Sequence, residues 1–166
     1  REIDILNVFS RRRIDGLIMT TASERDSVLQ RAREGLSIPV VLLDRETPAT
    51  FDAVLIGHRE GTRQAVDYLL EFGHRRIALI SGSDTVRPSA ERFAGYRDAF
   101  RARGIAFDQD LIRTQSFTAE FGYVETSALL GQPRRPTAII AGGIALLTGT
   151  LRAIRAHGLR IPDDIS

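Results

Sequence analysis

Short apolar runs of strand length alternate with amphipathic stretches of helix length along this chain, and that alternation restricts its folds more than any other feature. The runs fall at residues 15–20, 38–43, 53–56, 77–80 and 137–141, with a weaker one at 111–114. Between them apolar residues recur at helical spacing. Val28, Leu29, Ala32 and Leu36 form one such stripe, and Ala65, Val66, Leu69 and Leu70 the next. An aromatic face of Phe93, Tyr96 and Phe100 follows, then Val124, Ala128 and Leu129, and last Leu147, Leu151 and Ile154. Strands that alternate with helices at this spacing build parallel sheets with right-handed crossovers. The fold class is α/β.

Punctuation between the runs agrees with this reading. Ser23 and Thr118 stand where helix N-caps belong, and Gly73, Gly104 and Gly158 follow the last apolar residue of a helix, as C′ glycines do. Thr47-Pro48 marks a surface connection, and Pro39 enters a strand where no ladder donor is needed. Ile5, Val8 and Phe9 place a further amphipathic helix over 2–13, with no strand before it, and residues 160–166 point at a strand that does not follow. The simplest expectation is a piece of a longer protein. Residues 73–96 form the crossing between two sets of units: a buried strand, a polar loop over 81–89, and a helix carrying Arg92. Open α/β sheets place ligands at such carboxyl strand ends.

Composition removes several function classes. There is no cysteine, so neither disulfides nor thiolate chemistry enters. No run approaches the roughly 18 apolar residues of a membrane span, and Arg1-Glu2-Ile3-Asp4 has no signal-peptide pattern; the lack of cysteine fits the expected cytoplasmic location. The 23 basic residues are all arginine and are spread along a chain of net charge +2, without the clustering of a nucleic-acid face.

No Gly-x-Ser-x-Gly elbow is present, the three histidines have no metal-ligand spacing, and Gly142-Gly143 lacks the lysine of a phosphate loop. Neither catalytic group, metal nor cofactor is expected. His74 and His157 each adjoin a helix-ending glycine, where a ring meets exposed carbonyls. Two residues carry more information. Arg92 lies early in a helix after a polar loop: its fork either holds a ligand's hydroxyls or carboxylate, or pairs on the surface with Glu91 or Asp98. Phe117 precedes the Thr118 cap: it either stacks on a ligand ring or packs as a hydrophobic staple. Spacing leaves both alternatives open.

The residues Asp15-Gly16-Leu17-Ile18, Ile38-Pro39-Val40-Val41-Leu42-Leu43-Asp44, Glu60-Gly61, Gly73-His74-Arg75-Arg76-Ile77-Ala78, Arg92 with Gly95-Tyr96, Gly122-Tyr123, Pro136-Thr137-Ala138-Ile139 and Ile161-Pro162-Asp163-Asp164-Ile165-Ser166, in this order, resemble the LacI/GalR family of bacterial transcription regulators. The resemblance implies a periplasmic-binding-protein-like type I fold with two doubly wound parallel-sheet lobes, truncated at both ends. The expected amino-terminal lobe is 1–80 without its first strand, the carboxy-terminal lobe 81–159, and 160–166 a crossover back. It further implies a small-molecule effector held between lobes, a homodimer, and operator DNA contacted only through an absent helix-turn-helix. A transport solute-binding protein is the alternative, and an enzyme on a doubly wound fold a third reading. Arg92 matches the family's effector-holding arginine and Phe117 its stacking aromatic. Asp84 and Arg87 on the polar loop, His58, Thr21 and its neighbour Thr20, and Asp44-Arg45 are weaker candidates. Two departures bear on the effector. Gly143-Ile144 and Gly57-His58 stand where members carry an acid, which leaves a sugar's hydroxyls short of acceptors and puts a sugar effector in doubt.

Overall fold

The computed structural model describes residues 2–12, 14–24, 26–46 and 51–166. In chain order the elements are α1 (Glu2–Arg11), β1 (Leu17–Met19), α2 (Ser27–Glu34), β2 (Val40–Leu43), β3 (Asp52–Val54), α3 (His58–Glu71), β4 (Ile77–Gly82), α4 (Arg87–Ala102), β5 (Ile112–Gln115), α5 (Ala119–Leu130), β6 (Ala138–Ala141) and α6 (Ile144–Ala156). They group into two compact units, Arg1–Ile56 with Thr85–Pro88, and Gly57–Asp84 with Ser89–Ser166. The expected connection at Thr47-Pro48 lies outside the described residues.

In the first unit β1, β2 and β3 pair in that order, all parallel, with Leu17 opposite Val40 and Val41 opposite Asp52. Val40 and Leu42 are buried, as are Leu6 of α1 and Leu29 of α2. Asp26, rather than Ser23, caps α2: its carboxylate accepts from the backbone N–H groups of Val28 and Leu29 at 2.8 and 3.1 Å. An aspartate satisfies two of the helix's orphan donors and brings negative charge to its positive end. The buried stripe is Leu29 and Arg33, while Val28 stays exposed. Arg33 packs its guanidinium 5.9 Å from the Phe51 ring centroid.

The second unit is doubly wound. Its sheet runs β5-β4-β6, all parallel, and every residue of β4 is buried. Alternate β4 residues serve opposite faces. Ile77 and Leu79 pack with Val66 and Leu70 of α3 and with Tyr96 and Phe100 of α4, whereas Ala78 and Ile80 pack with Leu111, Leu129 and Leu146. Fully burying each of these large side chains contributes about 1.5–3 kcal/mol before entropy is charged against it. The Tyr96 hydroxyl donates to the Ile77 carbonyl at 2.8 Å, so its polar end is satisfied inside the core.

Three observations bear on the expected division of the chain and on its last helix. The boundary at 80/81 falls inside β4; the division lies after Ile56, because the Val66 and Leu70 stripe of α3 is covered by β4 and α4. Residues 160–166 pack on the second unit, with Ile165 buried beside Leu130 and Ile154 and with Ser166 bonded to Thr137 and Ile139 along the β6 edge. The buried face of α6 is Leu146, Gly149, Thr150, Ala153 and Ile154, while Leu147 and Leu151 are exposed. Gly149 decides that face. A Cβ there would collide with the backbone of Ala119 and Tyr123, so α5 and α6 approach closely along it. The terminators behave as expected: Gly73, Gly104 and Gly158 adopt φ of 90°, 64° and 69°, which glycine enters without penalty.

Candidate functional site

In the second unit three strand ends and one helix converge at the carboxyl edge of the sheet. β4 delivers Ser81 and Gly82, β5 leads into Phe117, β6 leads into Gly142-Gly143, and α4 carries Ser89 and Arg92 on one face, three residues apart. The Ser81 and Ser89 hydroxyls, both buried, lie 3.2 Å apart. A Cβ placed on Gly142 would stand 3.1 Å from the Ser81 Cβ and 3.2 Å from the Arg92 Cδ, so the missing side chain admits both. The Phe117 ring packs so closely on Gly82 that a Cβ there would collide with three of its ring carbons, and a Cβ on Gly143 would meet it at 3.4 Å.

These placements bear on the open alternatives. Asp98 pairs with Arg59 at 2.5 Å, and Arg92 is among the residues that line a 360 Å³ cavity with parts of α3, β6 and α6. Phe117 is 38% exposed, and the position it would staple, four residues past the Thr118 cap, is Gly122, which offers no side chain. Thr118 does cap α5, accepting from the Phe121 N–H at 3.2 Å.

In the first unit the candidate side chains are engaged in a network of their own. Thr21 is buried, its hydroxyl between the Glu2 carboxylate at 3.0 Å and the Ser23 carbonyl at 2.9 Å. Arg45 donates to the Thr21 carbonyl at 2.5 Å and to the Asp44 carbonyl at 2.9 Å. Arg87 donates to the Ile56 carbonyl at 3.2 Å and reaches Asp44 at 3.5 Å, and its backbone N–H bonds the Glu24 carboxylate at 3.0 Å. Thr21 and Arg87 thus act as structural ties in this arrangement. Thr20 is exposed at the end of β1, Asp84 is exposed on the turn before α4, and His58 opens α3, half-buried.

Ser81 and Ser89 were not singled out as ligand contacts from sequence, although Ser89 sits three residues before Arg92 and therefore on its helix face. A serine closing an otherwise apolar strand is the other signal that pointed there. His157 meets the helix-end carbonyl of Ala153 at 2.9 Å, as expected, but His74 instead meets the Thr137 hydroxyl at 2.8 Å. Among the described residues no cluster of three or more His, Asp or Glu side chains is placed to hold a metal ion. Among them, too, no helix is long and apolar enough to cross a membrane.

The profile of the family described as periplasmic binding proteins and sugar binding domain of LacI family matches residues 2–166. The HTH-type transcriptional repressor PurR of Klebsiella pneumoniae is 36% identical over 163 residues, which are 97% of this chain and 48% of that protein. The chain therefore spans about half the length of the curated relatives it matches. Among solved structures, a regulatory protein of LacI family from Chloroflexus aggregans superposes with a TM-score of 0.82 at 32% identity, covering 99% of this chain and 59% of that one. The transcriptional regulator CelR in complex with cellobiose superposes at 0.84 with 29% identity, covering 99% and 51%.

Proposed function

This chain belongs to the family of periplasmic binding proteins and LacI-type sugar-binding domains, and from that premise we propose that it is the ligand-sensing and dimerising domain of a transcription regulator rather than an enzyme. A small-molecule effector binds at the carboxyl edge of the second unit. It controls operator binding by a helix-turn-helix outside these residues, in the cytoplasm. The names of the relatives, repressors and regulators throughout, support a sensor over a transport protein. The observation that carries the site is the convergence of Arg92, Ser81, Ser89 and Phe117 at one sheet edge, opened by Gly82 and Gly142.

Each residue has a physical role there. Arg92 offers a planar fork that binds paired oxygens bidentately. Phe117 offers a ring face held against backbone that cannot yield, and the serine pair offers hydroxyls that donate or accept. Asp84 and His58 are secondary contacts. The effector acts through differential affinity for two states of the domain, since a ligand that binds both equally shifts nothing.

The test is a thermal-shift screen of sugars, nucleosides and small acids on the full-length protein, followed by calorimetry with Arg92→Ala. A hit raises the melting temperature, because ligand binds the folded state alone. The variant should lose about 1.5–3 kcal/mol of binding, the worth of hydrogen bonds to a charged group, with the fold left intact. Equal affinity in wild type and variant overturns the assignment. The dimer is tested by sedimentation of the same protein.

A further inference from the structure

Helix α4 carries Ser89 and Arg92, yet it brings little of its own to satisfy its start. No acid lies in its first turn. Val86, directly before the helix, has no side-chain oxygen, and Pro88 has no N–H. The Arg87 N–H is an orphan donor at the positive end of a 16-residue helix. Its partner comes from 63 residues away in the chain. Both oxygens of the Glu24 carboxylate accept from it, at 3.1 and 3.0 Å.

Glu24 is itself held in place. It lies in the connection after β1, its side chain is 8% exposed, one oxygen also accepts from the Glu46 N–H at 3.2 Å, and the Arg45 Nε stands 3.8 Å away. Burying a carboxylate is costly unless donors meet its charge, and here backbone N–H groups, a helix N-terminus and a guanidinium do so. The Arg87 guanidinium is engaged with Asp44 and the Ile56 carbonyl, so Glu24 holds the backbone of α4 rather than a side chain. Val86 and Pro88 on either side are buried, and Thr85–Pro88 packs with the first unit, although α4 from Ser89 onward belongs to the second. A helix rises about 1.5 Å per residue as a rigid rod, so the position of Arg87 sets those of Ser89 and Arg92. Resting on the sensor reading above, we propose that Glu24 is a positioning residue of the effector site: it caps α4 from outside the helix, and without that cap the first turn frays and releases Ser89 and Arg92 from the sheet edge.

The test is residue-resolved amide hydrogen exchange on the full-length protein with no ligand added. In an α-helix the Glu91 and Arg92 N–H groups bond the carbonyls of Arg87 and Pro88, four residues back, so their protection reports the first turn. In the wild type the Arg87 amide should be protected, although an N–H at a helix start has no partner within its helix. Glu24→Ala should speed exchange at Arg87, Glu91 and Arg92 by about fivefold or more, the size of a lost cap, while Leu79 in β4 and Phe100 late in α4 keep their rates. Glu24→Gln, which retains an acceptor oxygen, should stay within about threefold of the wild type. Circular dichroism checks that both variants fold, and the wild-type measurement needs neither. An unprotected Arg87 amide in the wild type overturns the proposal. So does a Glu24→Ala protein in which Glu91 and Arg92 exchange as before, or in which exchange rises equally across the whole chain, the mark of a general loss of stability. Because no ligand enters these measurements, their failure leaves the sensor reading intact, and that reading fails separately if Arg92→Ala binds as the wild type does.

Discussion

Phe117 owes its position to an atom that Gly82 lacks. The ring occupies the space of a Cβ at that residue, so Gly82→Ala must push the ring away from the backbone. The ring is the movable partner and is 38% exposed. The expected result is therefore a displaced stacking face rather than an unfolded protein. Stacking beyond simple burial is worth about 1 kcal/mol, so the full-length Gly82→Ala variant should bind its effector about fivefold more weakly, measured by calorimetry, with little change in unliganded melting temperature. Unaltered affinity would show that Phe117 does not touch the ligand. At this scale the sequence was informative about residue type and less so about commitment. Arg92 and Phe117 stood out because each followed a polar turn or strand end. Thr21 stood at a similar place, yet its hydroxyl is taken by Glu2 and Ser23, partners distant or hidden in the linear order.

Helix faces were legible where apolar residues are sparse and illegible where they are dense. In α4 the spacing of Phe93, Tyr96 and Phe100 named the buried face, and Tyr96 and Phe100 are fully covered. In α6 the run Ile144, Ala145, Leu146, Leu147 is apolar all round, so periodicity cannot choose, and contact with α5 does. Gly122 against the Leu146 backbone and Gly149 against the Ala119 backbone bring the two helices together, and a hydrogen bond between the Thr126 and Thr150 hydroxyls at 3.1 Å satisfies the polar groups buried there. Substitution at Gly149 tests this packing by its sign. Helix propensity alone would make Gly149→Ala stabilising by about 1 kcal/mol, whereas overpacking costs about 1–3 kcal/mol. Urea unfolding should show a net loss for Gly149→Ala. It should show a gain for Gly61→Ala in α3, where a Cβ meets nothing within 4 Å. A stabilised Gly149→Ala would mean that α5 and α6 do not meet at that residue.

For the whole molecule, acid sensitivity is the property that tests long-range pairing. Arg76, just before β4, bonds Asp108 at 2.7 Å across 32 residues, and the same carboxylate accepts from the Asp110 N–H at 3.0 Å. The guanidinium first and the backbone bond second hold the Asp108 carboxyl below its ordinary range. Because the folded value is lowered, the contribution to stability is complete above roughly pH 4 and disappears as pH falls through the folded value. Asp108→Asn should therefore lower the melting temperature at neutral pH and flatten its decline in acid; an identical pH profile would show that the pair does not stabilise the fold. What the sequence determined by itself is whatever depends on near neighbours: the α/β alternation, the glycine stops and the Thr118 cap. These are set by periodicity and backbone sterics within a few residues. The tertiary structure alone decided which sheet α3 joins, which face of α6 is buried, that Asp26 caps α2, and which polar side chains are already engaged. Those outcomes turn on how closely backbones approach and where distant partners fall, and neither is encoded in the spacing of residues along the chain.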